Sequence, residues 1–301
     1  MSVSGRVLLG GPKDTVPLPN TWVVLHRITR DTGAPLDSVR SDAHGRYHLT
    51  LTHPDSAVVY VVSAWYDSIA YFSLPLNVVG RPAVHVEDLI TFATTTNAPP
   101  ITLERRLATV ASANASGTRE VLEILELHNS GSTTRITKDT LVPTWAGRVP
   151  AGVGELRGGQ GDISPDAMVF KHDSVLVLGP IPPGPIKQLS YAYSLPENVR
   201  TFVIPIDQAT TDVNLLIEDT TAVVSGVKLD TLGVQELEQR RFAAYRAGPL
   251  KAGERIEIQL PAGKFRAQNL LPYLIGVLAG AMVLALVWAL RRKPQESRLS
   301  A

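Results

Sequence analysis

The 301-residue chain contains no cysteine. Disulfide scaffolds, thiolate zinc sites, thiol nucleophiles and iron–sulfur clusters are therefore excluded. Aromatic residues make up only 6% of the chain, and its 29 basic and 28 acidic side chains leave a formal charge of +1. Nucleic-acid-binding proteins usually carry a basic surplus concentrated on one face, so we expect no nucleic-acid partner.

Sequence signatures of catalysis are missing as well. The chain has no G-x-S-x-G nucleophile elbow, no H-E-x-x-H zinc motif and no EF-hand calcium loop. Its seven histidines are spread along the sequence, and the spacing of the closest three does not bring them together on a metal. We therefore expect no catalytic residue, no metal site and no cofactor.

One long apolar run is present near the C-terminus. The 21 residues 270–290, LLPYLIGVLAGAMVLALVWAL, carry no charge. At about 1.5 Å per residue, a helix of this length crosses a hydrocarbon core of about 30 Å. Aromatic rings and cations lie where they would anchor the helix at the membrane surface: Tyr273, Trp288, Arg291, Arg292 and Lys293. The sequence predicts a single transmembrane helix over 270–290 in contact with the lipid bilayer.

The orientation follows from the basic tail over 291–301. The positive-inside rule places this tail in the cytoplasm and residues 1–269 in the periplasm or another extracytoplasmic space. The first residues, MSVSGRVLLGG, lack a charged region followed by an apolar one, so no signal peptide is visible there. Three explanations stay open: a true start further upstream, another export route, or a tail-anchored chain whose domains stay in the cytoplasm.

Small residues form two stripes within the predicted span. Gly276 and Gly280 lie one turn apart, and Ala281 and Ala285 continue a second stripe. Small side chains let transmembrane helices approach closely, so these four residues are candidates for a contact with partner helices. The alternative is that glycine and alanine are common in any such helix.

The remainder of the chain reads as short strands separated by turns. Residues 1–95 predict one antiparallel β-sandwich, 96–100 a polar, proline-containing linker, and 101–262 a second, immunoglobulin-like sandwich. The fold class expected is thus all-β, with two β-sandwich domains before the membrane helix. The one helix-like segment outside the span, VQELEQRRFAAYRAG at 234–248, is equally compatible with two strands around a turn.

Three motifs in the first domain carry a resemblance. They are SGRV at 4–7, VPLPNTWVVLHR at 16–27 and SDAHGRYHL at 41–49. In the last motif, Asp42 can cap the turn and Gly45 can adopt a positive φ. The region resembles the carboxypeptidase regulatory-like (transthyretin-like) β-sandwich. That resemblance implies a binding or structural module rather than an enzyme.

Aromatic residues are the remaining candidates for a binding surface. Trp65, Tyr66, Tyr71 and Phe72 flank a predicted hairpin turn, and strand alternation should bury at least half of them. Trp145 lies at the start of the longest irregular stretch, the glycine-rich segment 144–161. An exposed ring there would be a candidate for a protein interface. The alternative is a loop tryptophan that caps the end of a sandwich.

These patterns indicate a non-catalytic, membrane-anchored scaffolding or accessory subunit. It would belong to a larger membrane protein complex, for example a respiratory or photosynthetic one, and would bind partner membrane-protein subunits. The first alternative is an envelope module that binds a carbohydrate, peptide or cell-wall ligand. The weakest alternative is a hydrolase whose site is assembled from residues distant in sequence.

Overall fold

A computed structural model describes residues 1–29, 32–139, 142–171, 173–196 and 198–261. These residues form an all-β structure in several sheets, consistent with a β-sandwich, and the one helix among them is a single 3-10 turn, Pro165–Ala167. None of the helical structure in these ranges is long and apolar enough to span a membrane. The strands of the described residues thus confirm the expected all-β class. The expected span at 270–290 lies outside the described residues.

The first half of this structure contains two sheets. Its strands are β1 (Ser2–Gly10), β2 (Thr15–Pro17), β3 (Trp22–Ile28), β4 (Gly33–Arg40), β5 (Arg46–Thr50), β6 (Val59–Tyr66), β7 (Ile69–Phe72), β8 (Ala83–His85) and β9 (Leu89–Thr91). In one sheet β1 pairs antiparallel with β2 and β5 and parallel with β8 and β9. The other sheet has the order β4-β3-β6-β7 and is antiparallel throughout.

The predicted turn between β4 and β5 is confirmed in detail. The Asp42 carboxylate accepts hydrogen bonds from the backbone N–H groups of His44 and Arg46, both at 2.8 Å. These bonds lower the pKa of Asp42, the Arg46 bond most strongly. Gly45 adopts φ +73°, which a residue with a Cβ atom rarely does.

The second half is larger and has one dominant sheet. Its strands are β10 (Thr94–Thr95), β11 (Thr102–Val110), β12 (Thr118–His128), β13 (Thr134–Arg135), β14 (Trp145–Arg148), β15 (Gly154–Gly158), β16 (Met168–Lys171), β17 (Ser174–Val177), β18 (Lys187–Pro196), β19 (Thr201–Pro205), β20 (Thr210–Ile217), β21 (Val223–Ser225), β22 (Asp230–Leu237), β23 (Arg240–Ala247) and β24 (Arg255–Gln259). Seven strands pair in the order β15-β18-β12-β11-β20-β23-β22, and β14-β17-β16 and β19-β24-β21 form two smaller sheets.

The ambiguous segment 234–248 is a strand pair. It covers most of the hairpin β22–β23, whose two turn residues, Glu238 and Gln239, have φ +50° and +64°. Two consecutive positive φ values are characteristic of the tight turn that joins antiparallel strands. The helical alternative for this segment is therefore wrong.

Buried apolar side chains form two separate clusters. One draws on residues from Val3 to Leu89, whereas the other draws on residues from Ile101 to Leu260. Both clusters lie within one compact unit, Met1–Pro261. The two sets of strands also contact each other, since the Tyr71 hydroxyl of β7 lies 2.7 Å from Thr134 Oγ1 of β13, a strand that pairs with β10. The proposed domain boundary at 96–100 stays a prediction.

Candidate functional site

Three exposed aromatic rings lie on the outward face of the sheet β4-β3-β6-β7. Trp22 of β3 lies directly opposite Trp65 of β6, and Phe72 of β7 lies opposite Ser63, two residues before Trp65. The side chains of Trp22, Trp65 and Phe72 are 46%, 48% and 58% exposed. We call Trp22, His26, Ser63, Trp65 and Phe72 together the aromatic face.

Strand alternation explains which rings are exposed. Within β7, Tyr71 points into the protein and is 9% exposed, while its neighbour Phe72 points out. Because successive side chains of a strand lie on opposite faces, the exposed members of β6 and β7 are brought to the same side of the sheet. The expectation that at least half of the aromatic residues around this turn would be buried is wrong. Only Tyr71 is buried, whereas Tyr66, the last residue of β6, is partly exposed beside the turn, and Trp65 and Phe72 are exposed.

Hydrogen bonds fix part of the aromatic face in place. Ser63 is fully buried, and its Oγ lies 2.8 Å from His26 Nε2 and accepts a 3.2 Å hydrogen bond from Trp65 Nε1. The His26 ring also contacts Phe72, with centroids 5.8 Å apart. Burial lowers the pKa of His26, which favours its neutral form near pH 7. A neutral His26 ring can accept a hydrogen bond from the Ser63 hydroxyl, while Ser63 Oγ accepts a hydrogen bond from Trp65 Nε1.

A cation restrains the other tryptophan. The Arg40 guanidinium carbon lies 4.4 Å from the centroid of the Trp22 ring. Arg40 Nη1 also donates hydrogen bonds to the backbone oxygen and the Oδ1 of Asn20, at 2.7 and 3.1 Å. Cation–π contacts at exposed sites contribute about 0.5–1 kcal/mol. Trp22 is thus held on the sheet surface although about half of it faces solvent.

The aromatic face is large enough for a binding surface. An aromatic side chain has an area of about 150–250 Å², so three half-exposed rings leave about 300 Å² of apolar area in contact with water. The largest apolar patches on typical monomers are about 300–600 Å² and often mark interaction sites. One cation, Arg40, adjoins these rings beside Trp22.

A second feature, a buried charged cluster, lies in the core of the seven-stranded sheet. Arg106 Nε donates a 2.6 Å hydrogen bond to Glu123 Oε2, and Arg106 Nη1 donates to the backbone oxygen of Pro205 at 2.8 Å. The hydroxyls of Tyr191 and Tyr193 donate to the two oxygens of Glu123, at 3.3 and 2.8 Å. We call Arg106, Glu123, Tyr191 and Tyr193 the buried cluster.

The buried cluster has no access to solvent. Glu123 is 0% exposed and Arg106 is 2% exposed, and Arg106 Nη2 has no hydrogen-bond partner among the described residues. Burial, followed by the charge of Glu123, raises the pKa of both tyrosines well above their ordinary value. No sequence motif indicated this cluster. The available signal was the alternation of β12, which places Glu123 on the same face as Val121 and Leu125.

A polar groove lies beside β4, β5 and the start of β6. Its volume is about 980 Å³, and residues 50–56 form much of its wall. Asp37 accepts a hydrogen bond from the backbone of Thr50 at 2.7 Å, and the Tyr60 hydroxyl accepts one from the backbone of Asp55 at 2.9 Å. Some of the polar groups along the groove are thus partnered within the chain.

Trp145 differs from its predicted position. It belongs to strand β14, which pairs with β17, and only 5% of its surface is exposed. Its Nε1 donates a 3.1 Å hydrogen bond to Gln208. The prediction of an exposed interface ring in an irregular loop is wrong. Strands β14 and β15 occupy much of the segment 144–161, and the pairing of β14 with β17 buries the ring.

The other predicted site residues lie outside the described residues. These are the helix-contact and membrane-anchor candidates Gly276, Gly280, Ala281, Ala285, Tyr273, Trp288, Arg291, Arg292 and Lys293. They stay predictions. In the part of the chain that the structure covers, no three histidine, aspartate or glutamate side chains are grouped so that they could hold a metal ion.

Comparison with known proteins adds only distant similarity. No family model and no curated protein matches the chain. Among solved structures, an M1 zinc metallopeptidase from Deinococcus radiodurans is similar at 10% identity with a TM-score of 0.33, over 55% of this chain and 43% of that chain. A mutant of that organism's M1 enzyme bound to a Tyr-Ser-Ala substrate gives 9% identity and a TM-score of 0.32, over 53% and 42%. This chain therefore covers less than half the length of these structures.

Proposed function

We propose that this protein is a non-catalytic, membrane-anchored scaffolding subunit of a larger membrane protein complex, and that the aromatic face binds its partner subunits. The observation that supports this proposal is the position of Trp22, Trp65 and Phe72, side by side and half-exposed on one sheet surface. Tryptophan is enriched among the residues that dominate binding energy at protein interfaces.

Restraint of these rings favours tight binding. Association costs free energy when mobile side chains become ordered, by about 0.5–1.5 kcal/mol for each flexible side chain. Trp65 is hydrogen-bonded to the buried Ser63, and Trp22 is covered on one side by Arg40. Binding of a partner therefore needs to order these two side chains only a little further.

The architecture that we propose assigns the observed strands to two sandwich domains and adds a membrane helix after them. Residues 1–95 form a carboxypeptidase regulatory-like sandwich, 101–262 form a second sandwich, and 270–290 form one transmembrane helix. The sandwiches lie at the outer surface of the cell membrane, and the tail over 291–301 lies in the cytoplasm. The uncharged apolar run and the cations that follow it support this arrangement.

Copurification from native membranes tests the role of the aromatic face. The full-length chain carrying Trp22→Ala and Trp65→Ala is extracted in mild detergent and compared with the wild type and with Val223→Ala, a change at a similarly exposed apolar residue on β21. Loss of one dominant interface residue costs about 2 kcal/mol or more, so the double change should weaken partner retention at least about 30-fold. Unchanged retention by a variant with a normal melting temperature would contradict the proposal.

The same preparation separates the membrane helix from the aromatic face. Gly276→Leu combined with Gly280→Leu keeps the run apolar but blocks close helix approach. If the helix contributes to assembly, the free energy of association with the partner should weaken by about 1–2 kcal/mol and less partner should copurify. The chain should still insert into the membrane, because the run stays apolar. Retention equal to that of the wild type would limit the helix to anchoring.

The polar groove favours a second candidate function. A cleft of about 980 Å³ with polar walls is compatible with an envelope module that binds a carbohydrate, peptide or cell-wall ligand. Such a module would leave the membrane without a stoichiometric partner. The copurification experiment therefore distinguishes the two functions before any ligand is known.

A further inference from the structure

Strand β22 is an exposed end of the seven-stranded sheet. It is the terminal strand in the sheet order, and all eight of its residues are exposed. Among the described residues, β23 is the only strand hydrogen-bonded to it. Leu232, Val234 and Leu237 are each about half-exposed on this strand. One row of backbone N–H and C=O groups of β22 therefore faces solvent together with apolar side chains.

Other sheet edges of this protein are protected against pairing. The opposite edge strand of the same sheet, β15, has five residues, a break in its register and a cation, Arg157. In the smaller antiparallel sheet, the edge strand β4 contains Pro35, which has no N–H to donate, as well as Arg40. Short length, proline, cations and bulges are the usual means by which proteins block edge pairing. Strand β22 has no proline and no cation, and its single bulge lies near its start, between Thr231 and Gly233.

We infer that β22 pairs antiparallel with β22 of a second copy of this chain, around a two-fold axis that passes at Gln235. The regular part of the strand, residues 234–237, then forms the contact together with Gly233, which lies beside the bulge with φ +81°, and the two large sheets become continuous. Backbone hydrogen bonds between edges supply affinity, while the facing side chains set the register. A two-fold contact requires the strand to be complementary to itself.

The side chains of β22 meet this requirement in the proposed register. Gln235 faces its own copy, and an amide group both donates and accepts hydrogen bonds. Leu237 faces Gly233, which has no side chain and has open space where a Cβ atom would lie. Glu236 faces Val234, so no two acidic residues lie opposite one another.

The charges on the neighbouring strand are also compatible. Within the hairpin, Glu236 lies directly opposite Arg241 of β23. Each acidic residue of the contact therefore has a cation on its own chain, and bringing the copies together places no unbalanced like charges in the regular segment. The proposed contact does not use the aromatic face, so the two surfaces can be tested separately.

Cysteine crosslinking tests this register because the wild-type chain has no cysteine. The full-length chain carrying Gln235→Cys is oxidised in mild detergent, and dimer formation is followed on non-reducing gels. Directly opposed residues of antiparallel strands have Cα atoms about 4.5–5.5 Å apart, within the range for a disulfide. The control is Arg157→Cys on the opposite edge of the sheet. We expect Gln235→Cys to crosslink at least tenfold faster than this control.

Two further variants determine the register and the equilibrium. In the proposed pairing, the two copies of residue 237 are four residues apart along the strands, about 13 Å, so Leu237→Cys should crosslink no faster than the control. Gln235→Lys places two cations in contact and should raise the dimer dissociation constant, measured by light scattering, at least tenfold. Crosslinking of Gln235→Cys at the control rate, equal rates for Gln235→Cys and Leu237→Cys, or an unchanged dissociation constant for Gln235→Lys would each overturn the inference.

Discussion

Replacement of Glu123 by glutamine should strongly destabilise the protein. Glutamine has nearly the same shape as glutamate, so the substitution removes the charge and leaves the packing almost intact. The Arg106 guanidinium would then stay in the core without its 2.6 Å carboxylate partner, with one backbone oxygen, that of Pro205, still accepting from it. Neither Arg106 nor Glu123 has more than 3% of its side chain exposed, so water cannot replace the lost partner.

The expected loss of stability follows from this burial. Removal of one partner from a buried ion pair costs about 3–5 kcal/mol because the remaining charge is uncompensated. The tyrosine hydroxyls add to the loss, since each exchanges a charged acceptor for a weaker neutral one. A typical domain has a total stability of about 5–15 kcal/mol, so this single substitution should remove a large fraction of it.

Denaturant unfolding of the full-length chain in mild detergent measures this loss, with tryptophan fluorescence as the signal. Glu126→Gln is the matched control, because Glu126 lies on the same strand and pairs with Arg105 at 3.1 Å, but on the solvent-facing side. Exposed ion pairs contribute about 0–1 kcal/mol, so the control should lose no more than that. Arg106→Met combined with Glu123→Gln should be more stable than Glu123→Gln alone, since no charge remains buried.

A specific result would refute this reasoning. If Glu123→Gln lost less than about 1 kcal/mol, or no more than Glu126→Gln, the Arg106–Glu123 pair would not be a dry, enclosed ion pair. Equal stability of the single Glu123→Gln variant and the double variant would likewise show that the charge of Arg106 finds solvent.

Two other predictions concern pH and backbone conformation. Burial raises the pKa of Tyr191 and Tyr193, so the folded state holds these two protons more tightly than the unfolded state does. This contribution to stability is complete below about pH 10 and is lost as the pH rises further, by up to about 1.4 kcal/mol per pH unit for each tyrosine. Denaturant unfolding across that range should show a steeper decline for the wild type than for Tyr191→Phe with Tyr193→Phe, and equal slopes would contradict this assignment. Gly45→Ala should lower stability by about 2 kcal/mol or more, because alanine disfavours φ +73° and its Cβ atom would meet a backbone oxygen of β1. Gly33→Ala, at a position with open space, is the control in thermal melts, and a similar melting temperature for both would show that the turn adapts.

Much of the β structure could be predicted because its signals are local. The Asp42–Gly45 turn depends on residues a few positions apart, and alternation within β7 separates buried Tyr71 from exposed Phe72. The hairpin β22–β23 was predicted only as one of two alternatives. Its apolar residues fit a helical period as well as a strand period, and the pairing of the two strands decides between them.

The aromatic face could be predicted only in part. Alternation within β7 separated Phe72 from Tyr71, but nothing near Trp22 in the sequence indicated that it would lie opposite Trp65, 43 positions later. Trp145 was placed wrongly for the same reason. Its glycine-rich neighbours suggested a loop, whereas pairing with β17 and a hydrogen bond to Gln208, 63 residues away, bury its ring.

The all-β class, the Asp42–Gly45 turn and the charge-free run at 270–290 could be derived without a structure, because side-chain alternation, turn chemistry and hydropathy are properties of neighbouring residues. Tertiary structure alone decided that Glu123 could be buried. Its partners Arg106, Tyr191 and Tyr193 come from β11 and β18, the two strands beside β12, and only the register of those three strands brings their polar atoms within hydrogen-bonding distance. Register depends on contacts between distant parts of the chain, so a surface assembled across strands, such as the aromatic face, appears only when the sheet is formed.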